Sequence, residues 1–240
     1  MGSMASRIIS VWRSGGVWGV YQESIRFLRS HPYRIRLYSE ARHVSKGLVS
    51  DYEALAHPAK IIWISPNAIR HTYYGFDAYA DVGKIINGDW DINLSTFDNE
   101  KRFVAIKRRY VDGLSWEDTG IYDHYMDRIE ENGRYDGCYD KTDVIRRYEK
   151  IDEMYSSMKE HGYDISQVDD LFDHVCVHLS RNGEILHGGV GNHRLSIAQL
   201  LDLDEIPVRV VVRHAKWQEV REAVQKGEAS LDHPDLRELQ

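Results

Sequence analysis

The sequence predicts an α/β fold of the α+β kind: a small mixed sheet with flanking helices, a helical insertion and an N-terminal amphipathic helix. Three observations predict it. An extended run from Val175 to Leu186 leads through the glycine loop Gly188-Gly189-Val190-Gly191-Asn192-His193-Arg194 into an amphipathic run from Leu195 to Leu203, which reads as strand, loop and helix start. A second extended run sets Val208, Val210 and Val212 on one face and Arg209 and Arg213 on the other, an exposed or ligand-facing side. Stretches between residues 100 and 160 carry apolar residues three and four apart, the helical period.

Residues 1–57 form a basic amphipathic segment. The first 50 residues hold eight Lys/Arg against two acids, a local +6; with a net charge of −7 overall, the remainder carries −13. Between residues 7 and 31, Val17, Tyr21, Ile25 and Leu28 follow helical spacing up to His31-Pro32, with Trp12, Trp18 and arginines around the stripe. Such a helix packs on its own domain, on a second copy of the chain, or on a membrane surface. The main domain is expected over 58–225, opening on the strand Ile61-Ile-Trp-Ile-Ser-Pro and carrying an insertion at about 70–140.

In that insertion, Gly88-Asp-Trp-Asp91 places two carboxylates around a tryptophan. On a strand Asp89 and Asp91 would share one face, and such a pair can hold Mg²⁺ or take a proton from a hydroxyl; a turn with Asp caps is the alternative. Helices are predicted over Glu100–Val111, from the capping-box-like Ser115-Trp-Glu-Asp118 to the stop at Asn132-Gly133, and over Thr142–Glu160. Of the cations on the first of these, Lys101, Arg102, Lys107, Arg108 and Arg109, most are read as solvated and one or two as within reach of a ligand phosphate. Asp152 and Glu153 read as surface or capping charges. The tail, 226–240, is polar and expected to be loose.

The glycine loop carries the strongest chemistry. Glycines bring the backbone close to a ligand, and the first turn of the following helix offers unpaired N–H groups at a positive dipole end. His193 and Arg194 add side-chain donors, and Arg is a planar fork suited to phosphate oxygens. The loop reads as a phosphate cradle, although Gly-Gly-x-Gly after a strand is also a common hairpin turn.

The segments Val175-Cys-Val-His-Leu179, Arg181-Asn-Gly-Glu-Ile-Leu186, Gly191-Asn-His-Arg194, Leu195-Ser-Ile-Ala-Gln-Leu-Leu201 and Ile206-Pro-Val-Arg-Val-Val-Val-Arg-His214 together resemble the ParB/sulfiredoxin superfamily. Ile61–Ile69 looks like its opening strand, and Ile151–Gly162 like the helix before its second strand. The resemblance implies nucleoside triphosphate binding, with Gly191, His193 and Arg194 at the phosphate-binding positions; with the loop's own reading the expected nucleotide site is Gly188, Gly189, Gly191, Asn192, His193 and Arg194. Asn192 stands where sulfiredoxin has its catalytic Cys and where the DNA clamp proteins often have Glu, which argues against sulfinic acid reduction; Val190 stands where kinase-like members tend to carry Asp. The function expected is phosphoryl transfer from ATP or another nucleoside triphosphate, with Mg²⁺, to a small hydroxylated acceptor oriented by Asp89 or Asp91. A nucleotide-switched binding module and a ParB-like nucleic-acid binder or nuclease are the alternatives, the last disfavoured by the acidic body.

Composition sets the remaining bounds. With 42% hydrophobic and 29% charged residues the 240-residue chain is ordinary for a globular protein, and Met1-Gly-Ser ahead of Met4 reads as a cloning remnant rather than a signal peptide. Two cysteines, Cys138 and Cys176, fit a reducing compartment, so a cytoplasmic protein is expected, peripheral to the membrane if residues 7–31 bind one. The twelve histidines show no metal-ligand spacing.

Overall fold

Strand β7 (Ile206–His214) is buried along all nine residues, and the other strands assemble around it. The computed structural model describes residues 51–78, 80–165 and 174–240; the helix expected over residues 7–31 lies outside them. Along one edge of β7 runs β5 (Val175–Leu179), in parallel. The other edge is shared by β1 (Ile61–Ile64), antiparallel, and β3 (Lys84–Ile86), parallel. Beyond β5 the sheet continues through β6 (Ile185–His187), β2 (His71–Thr72) and β4 (Ser95–Thr96). Among the described residues this makes a mixed sheet of seven strands, with five helices: α1 (Lys101–Tyr110), α2 (Ile121–Asn132), α3 (Lys141–His161), α4 (Asn192–Leu200) and α5 (Ala215–Gln225).

Helix boundaries follow local chemistry. Asp140 caps α3 by accepting from the backbone N–H of Asp143, and the left-handed Gly133 ends α2. The expected start of α2 at Ser115 is displaced. Ser115 and Asp118 do bond to each other, but across a turn, and the helix begins only after Gly120, whose φ is +79°.

Alternation splits the sheet's contacts into two cores. Val175, Val177 and Leu179 of β5, with Val208 and Val210 of β7, face the main core and the helices. Cys176, Val211 and Val212 face a smaller one with Ala78, Phe76 and Trp90. The register between β5 and β7 slips after Val177, which pairs with Val210, because His178 pairs with Val212. Val211 is thus an extra residue, a bulge, and it reverses the alternation beyond it. That overturns the expectation that Arg209 and Arg213 share an open face. Both are buried, and they go different ways: Arg209 donates to the Ala78 carbonyl at 3.1 Å and meets the Cys176 sulfur, whereas Arg213 reaches Asp235.

The tail is not loose either. Asp235 and Leu236 are fully buried. The Asp235 carboxylate accepts from Arg213 (Nε 3.0 Å, Nη2 2.5 Å), from Arg221 Nη1 at 2.9 Å and from the Trp217 indole at 3.0 Å. Arg221 also bonds the Ala54 carbonyl and Glu238, so one guanidinium joins the start of the described chain to its end. Burial alone would push the Asp235 carboxyl up, but Arg213, Arg221 and Trp217 outweigh it and hold it well below the usual carboxylate range. Asp152, read as a surface charge, likewise proves to be a junction: it accepts from Tyr110, Trp116 and Arg109 and fastens α1 to α3. Trp116 and Thr119 are buried, and the Thr119 hydroxyl donates to the Trp116 carbonyl at 2.6 Å.

Replacing Asp235 with Ala leaves Arg213 and Arg221 buried without their counter-charge. The expected cost is about 3–5 kcal/mol of folding stability, read as a lower urea midpoint; a loose tail would give no change.

Candidate anion-binding cleft

The glycine loop is fixed at the N-terminal end of β5. Cys176 donates its N–H to the Val190 carbonyl at 3.1 Å, and Gly188 donates to the Cys176 carbonyl at 2.7 Å. Gly191 sits so tightly on Val175 that a Cβ there would stand 2.6 Å from the Val175 Cα, and its φ is +80°. Only glycine meets both conditions. Gly191 is also the N-cap of α4: no side chain caps this helix, and its first turn holds no acid. The dipole end therefore keeps its positive character toward the loop.

A cavity of about 450 Å³ opens against the loop, lined by Gly189, Val190, Gly191, Asn192, His193 and Arg194, with α3 opposite. Arg102 from α1 and Arg147 and Lys150 from α3 join Arg194 on its wall, and Asp136 is its one carboxylate. Four cations thus face one acid. Asp136 occupies a tight turn closed by Tyr135 and Cys138, with φ of +50° at Asp136 and +81° at Gly137. Its carboxylate accepts from Arg102 at 3.1 Å, Arg147 at 2.6 Å and the Tyr125 hydroxyl at 2.8 Å. The Arg147 Nε–H is buried and meets no acceptor among the described residues. A smaller cavity of about 300 Å³ adjoins the first, sharing Lys150, Met154 and Arg194 with it and adding Glu153, Ser157 and Asp164.

Of the loop residues named from sequence, Gly189, Gly191, Asn192, His193 and Arg194 line the cavity, whereas Gly188 does not and packs toward His178 and the Cys176 carbonyl; His193 changes role. His193 is 8% exposed and turns toward the Tyr148 hydroxyl, 3.5 Å from its Nε2. Burial, then the guanidiniums of Arg102, Arg147 and Arg194, push its pKa well down, so it stands neutral on the wall and adds no charge. Asn192 is also buried, and its backbone and side-chain oxygens accept from Ser196. Arg194 keeps its place on the cavity wall.

Asp89 and Asp91 are not brought to the cleft. They lie in a turn after β3 rather than on a strand, and both bind Arg181, at 2.9 Å and 2.6 Å. Arg181 also donates its backbone N–H to Asp91. Burial raises the Asp91 carboxyl, but the Arg181 side chain and backbone outweigh it and hold it below its ordinary range. Arg181 follows the C-terminal end of β5 while the loop packs at its N-terminal end, about 13 Å apart at the rise of a strand. The pair serves as a clamp on the β5–β6 turn. Among the described residues no three His, Cys, Asp or Glu gather as a metal site.

Arg147 and Lys150 were hidden on a helix whose polar residues look solvated. The signal was their spacing: 147, 150, 151 and 154 share one face of α3, all on the cavity. Arg102 lies on the α1 face whose cations were read in part as reaching a phosphate.

Comparison of the chain with protein-family models, with curated proteins and with solved structures finds no match. Among the described residues no helix is long and apolar enough to cross a membrane.

Two predictions follow from the packing. Gly191→Ala is expected to lose about 2–4 kcal/mol through strain and collision and to speed amide exchange at Cys176 and Gly188, whose bonds hold the loop. The histidines around the loop give a pH dependence. Burial is the first cause at each: it pushes His178 down to about 3 and His187 to about 4, and His193 well below its usual value. All three are neutral when folded but take a proton near 6.5 when unfolded, so stability falls as pH drops through 6.5. From pH 6.5 to 5.5 the loss is about 1 kcal/mol each, about 3 in all; urea midpoints at pH 7.5, 6.5 and 5.5 measure it, and a flat profile would contradict it.

Proposed function

We propose that the chain binds a nucleoside triphosphate by its phosphates in the cleft between the glycine loop and helix α3. One observation carries this reading: Arg102, Arg147, Lys150 and Arg194 converge with an uncapped helix N-terminus on one cavity that holds a single carboxylate. Phosphate oxygens suit this set, because guanidinium forks, an ammonium and backbone N–H groups all donate to them. The order β5, turn, β6, glycine loop, α4, β7 supports the resemblance to the ParB/sulfiredoxin superfamily that suggested it.

The reaction such a cleft suits is phosphoryl transfer to a small hydroxylated acceptor, in which positioning and charge stabilisation supply most of the catalysis. The cations hold the phosphates and offset the charge developing on the departing diphosphate. The adjoining cavity, with Ser157 and Glu153, is where an acceptor would lie against Lys150 and Arg194. Asp89 and Asp91 take no part, since Arg181 holds both at the far end of β5. A second reading is a nucleotide-switched binding module without catalysis. What favours it is Asp136: the one carboxylate on the main cavity is already engaged by two arginines and a tyrosine, so its oxygens are taken up by protein donors rather than left for an acceptor hydroxyl.

Thermal unfolding with ATP, ADP, CTP or GTP tests the reading. A ligand at 100 times its Kd stabilises by about 2.7 kcal/mol, so at least one nucleotide is expected to raise the melting temperature by several degrees. Arg194→Ala and Lys150→Ala are expected to abolish most of that shift, while Asp89→Asn leaves it intact. No shift with any nucleotide would overturn the proposal.

A further inference from the structure

We infer that the cleft continues into a base-binding subsite in which the nucleobase stacks on Tyr74; this rests on the phosphate-binding reading. Tyr74 is 50% exposed, so its ring offers surface to a ligand. It is also the ring against the loop: a Cβ built on Gly189 would stand 3.2 Å from the Tyr74 Cδ1, and Gly189 lines the cavity. The ring therefore borders the wall on which the phosphates would lie.

The ring is held in place from behind. Strand β2 ends at Thr72 between β6 and β4, and Tyr73 donates its N–H to the His187 carbonyl at 3.0 Å, which fixes the backbone leading into Tyr74. The ring meets His187 edge-on, with centroids 6.0 Å apart and planes at 85°. Its hydroxyl lies beside Glu100 and Thr72. Glycine at 189, with φ of +90°, leaves the ring uncovered where any side chain would press on it.

Every base has a π-face, so a stacking platform takes purines and pyrimidines alike and adds affinity without selecting strongly between them. The chemical class implied is a nucleoside polyphosphate, recognised by charge at one end and by an aromatic face at the other. Inorganic tripolyphosphate satisfies only the charged end, and this separates the two contributions.

Titration calorimetry of ATP, CTP and tripolyphosphate against the wild type, Tyr74→Ala, Tyr74→Phe and Arg194→Ala tests the subsite. Tyr74→Ala is expected to weaken ATP and CTP about 5- to 100-fold and to leave tripolyphosphate within about twofold, while Tyr74→Phe, which keeps the stacking face, stays near wild type. Arg194→Ala weakens all three ligands. Unchanged ATP affinity in Tyr74→Ala overturns the subsite and leaves the phosphate reading standing. An equal loss for ATP and tripolyphosphate also overturns it, since the ring would then act only on the loop. A wild type that binds none of the three ligands overturns both.

Discussion

The contact between Gly191 and Val175 governs the rest of the cleft. Its closeness and its left-handed backbone admit one residue type, and together they fix the distance between the end of β5 and the first turn of α4. Helix α4 then packs on α1 and α3, and those two helices deliver Arg102, Arg147 and Lys150. A loop one side chain wider would part the helix dipole from the cations opposite. The placement of charge in this cavity thus begins with the absence of a side chain.

The sheet contributes a second constraint, a change of phase within β7. The bulge at Val211 lets the strand serve two cores in turn, sending Arg209 toward Ala78 and Cys176 and Arg213 toward Asp235. Buried arginines are tolerable only where carbonyls and carboxylates meet them. The residues from 226 onward exist in that sense as partners: Asp235 and Glu238 engage Arg213, Arg221 and Lys60, and so tie β7, α5 and the approach to β1 together.

Much of this was legible in the chain. The strand, glycine loop and helix order around 175–203, the long helix near 141–161 and the stop at Gly133 all follow from period and punctuation. What was not legible depends on partners distant in sequence. Strict alternation placed Arg209 and Arg213 on one face because a bulge leaves no mark in a run of valines. Asp235 looked solvated because nothing near it announces two arginines 14 and 22 residues away. Asp89 and Asp91 looked like a reactive pair because their spacing is visible and Arg181, about 90 residues on, is not. The loop residues were found, but only three-dimensional placement shows that His193 faces the Tyr148 hydroxyl while Arg194 borders both cavities.

The turn that carries Asp136 has a consequence for how the cleft meets its surroundings. Its carboxylate already holds Arg102 and Arg147 at fixed separation. Long cationic side chains ordinarily surrender rotational freedom when they close on an anion; here that ordering is present beforehand. On the phosphate-binding reading proposed above, an incoming anion would meet guanidiniums already aligned, in competition with a carboxylate fixed to the chain. Such a cleft would discriminate by charge density: a singly charged anion would gain little over the carboxylate already there, whereas a polyanion would bond further donors as well. Selectivity for multiply charged ligands would then follow from an internal competitor.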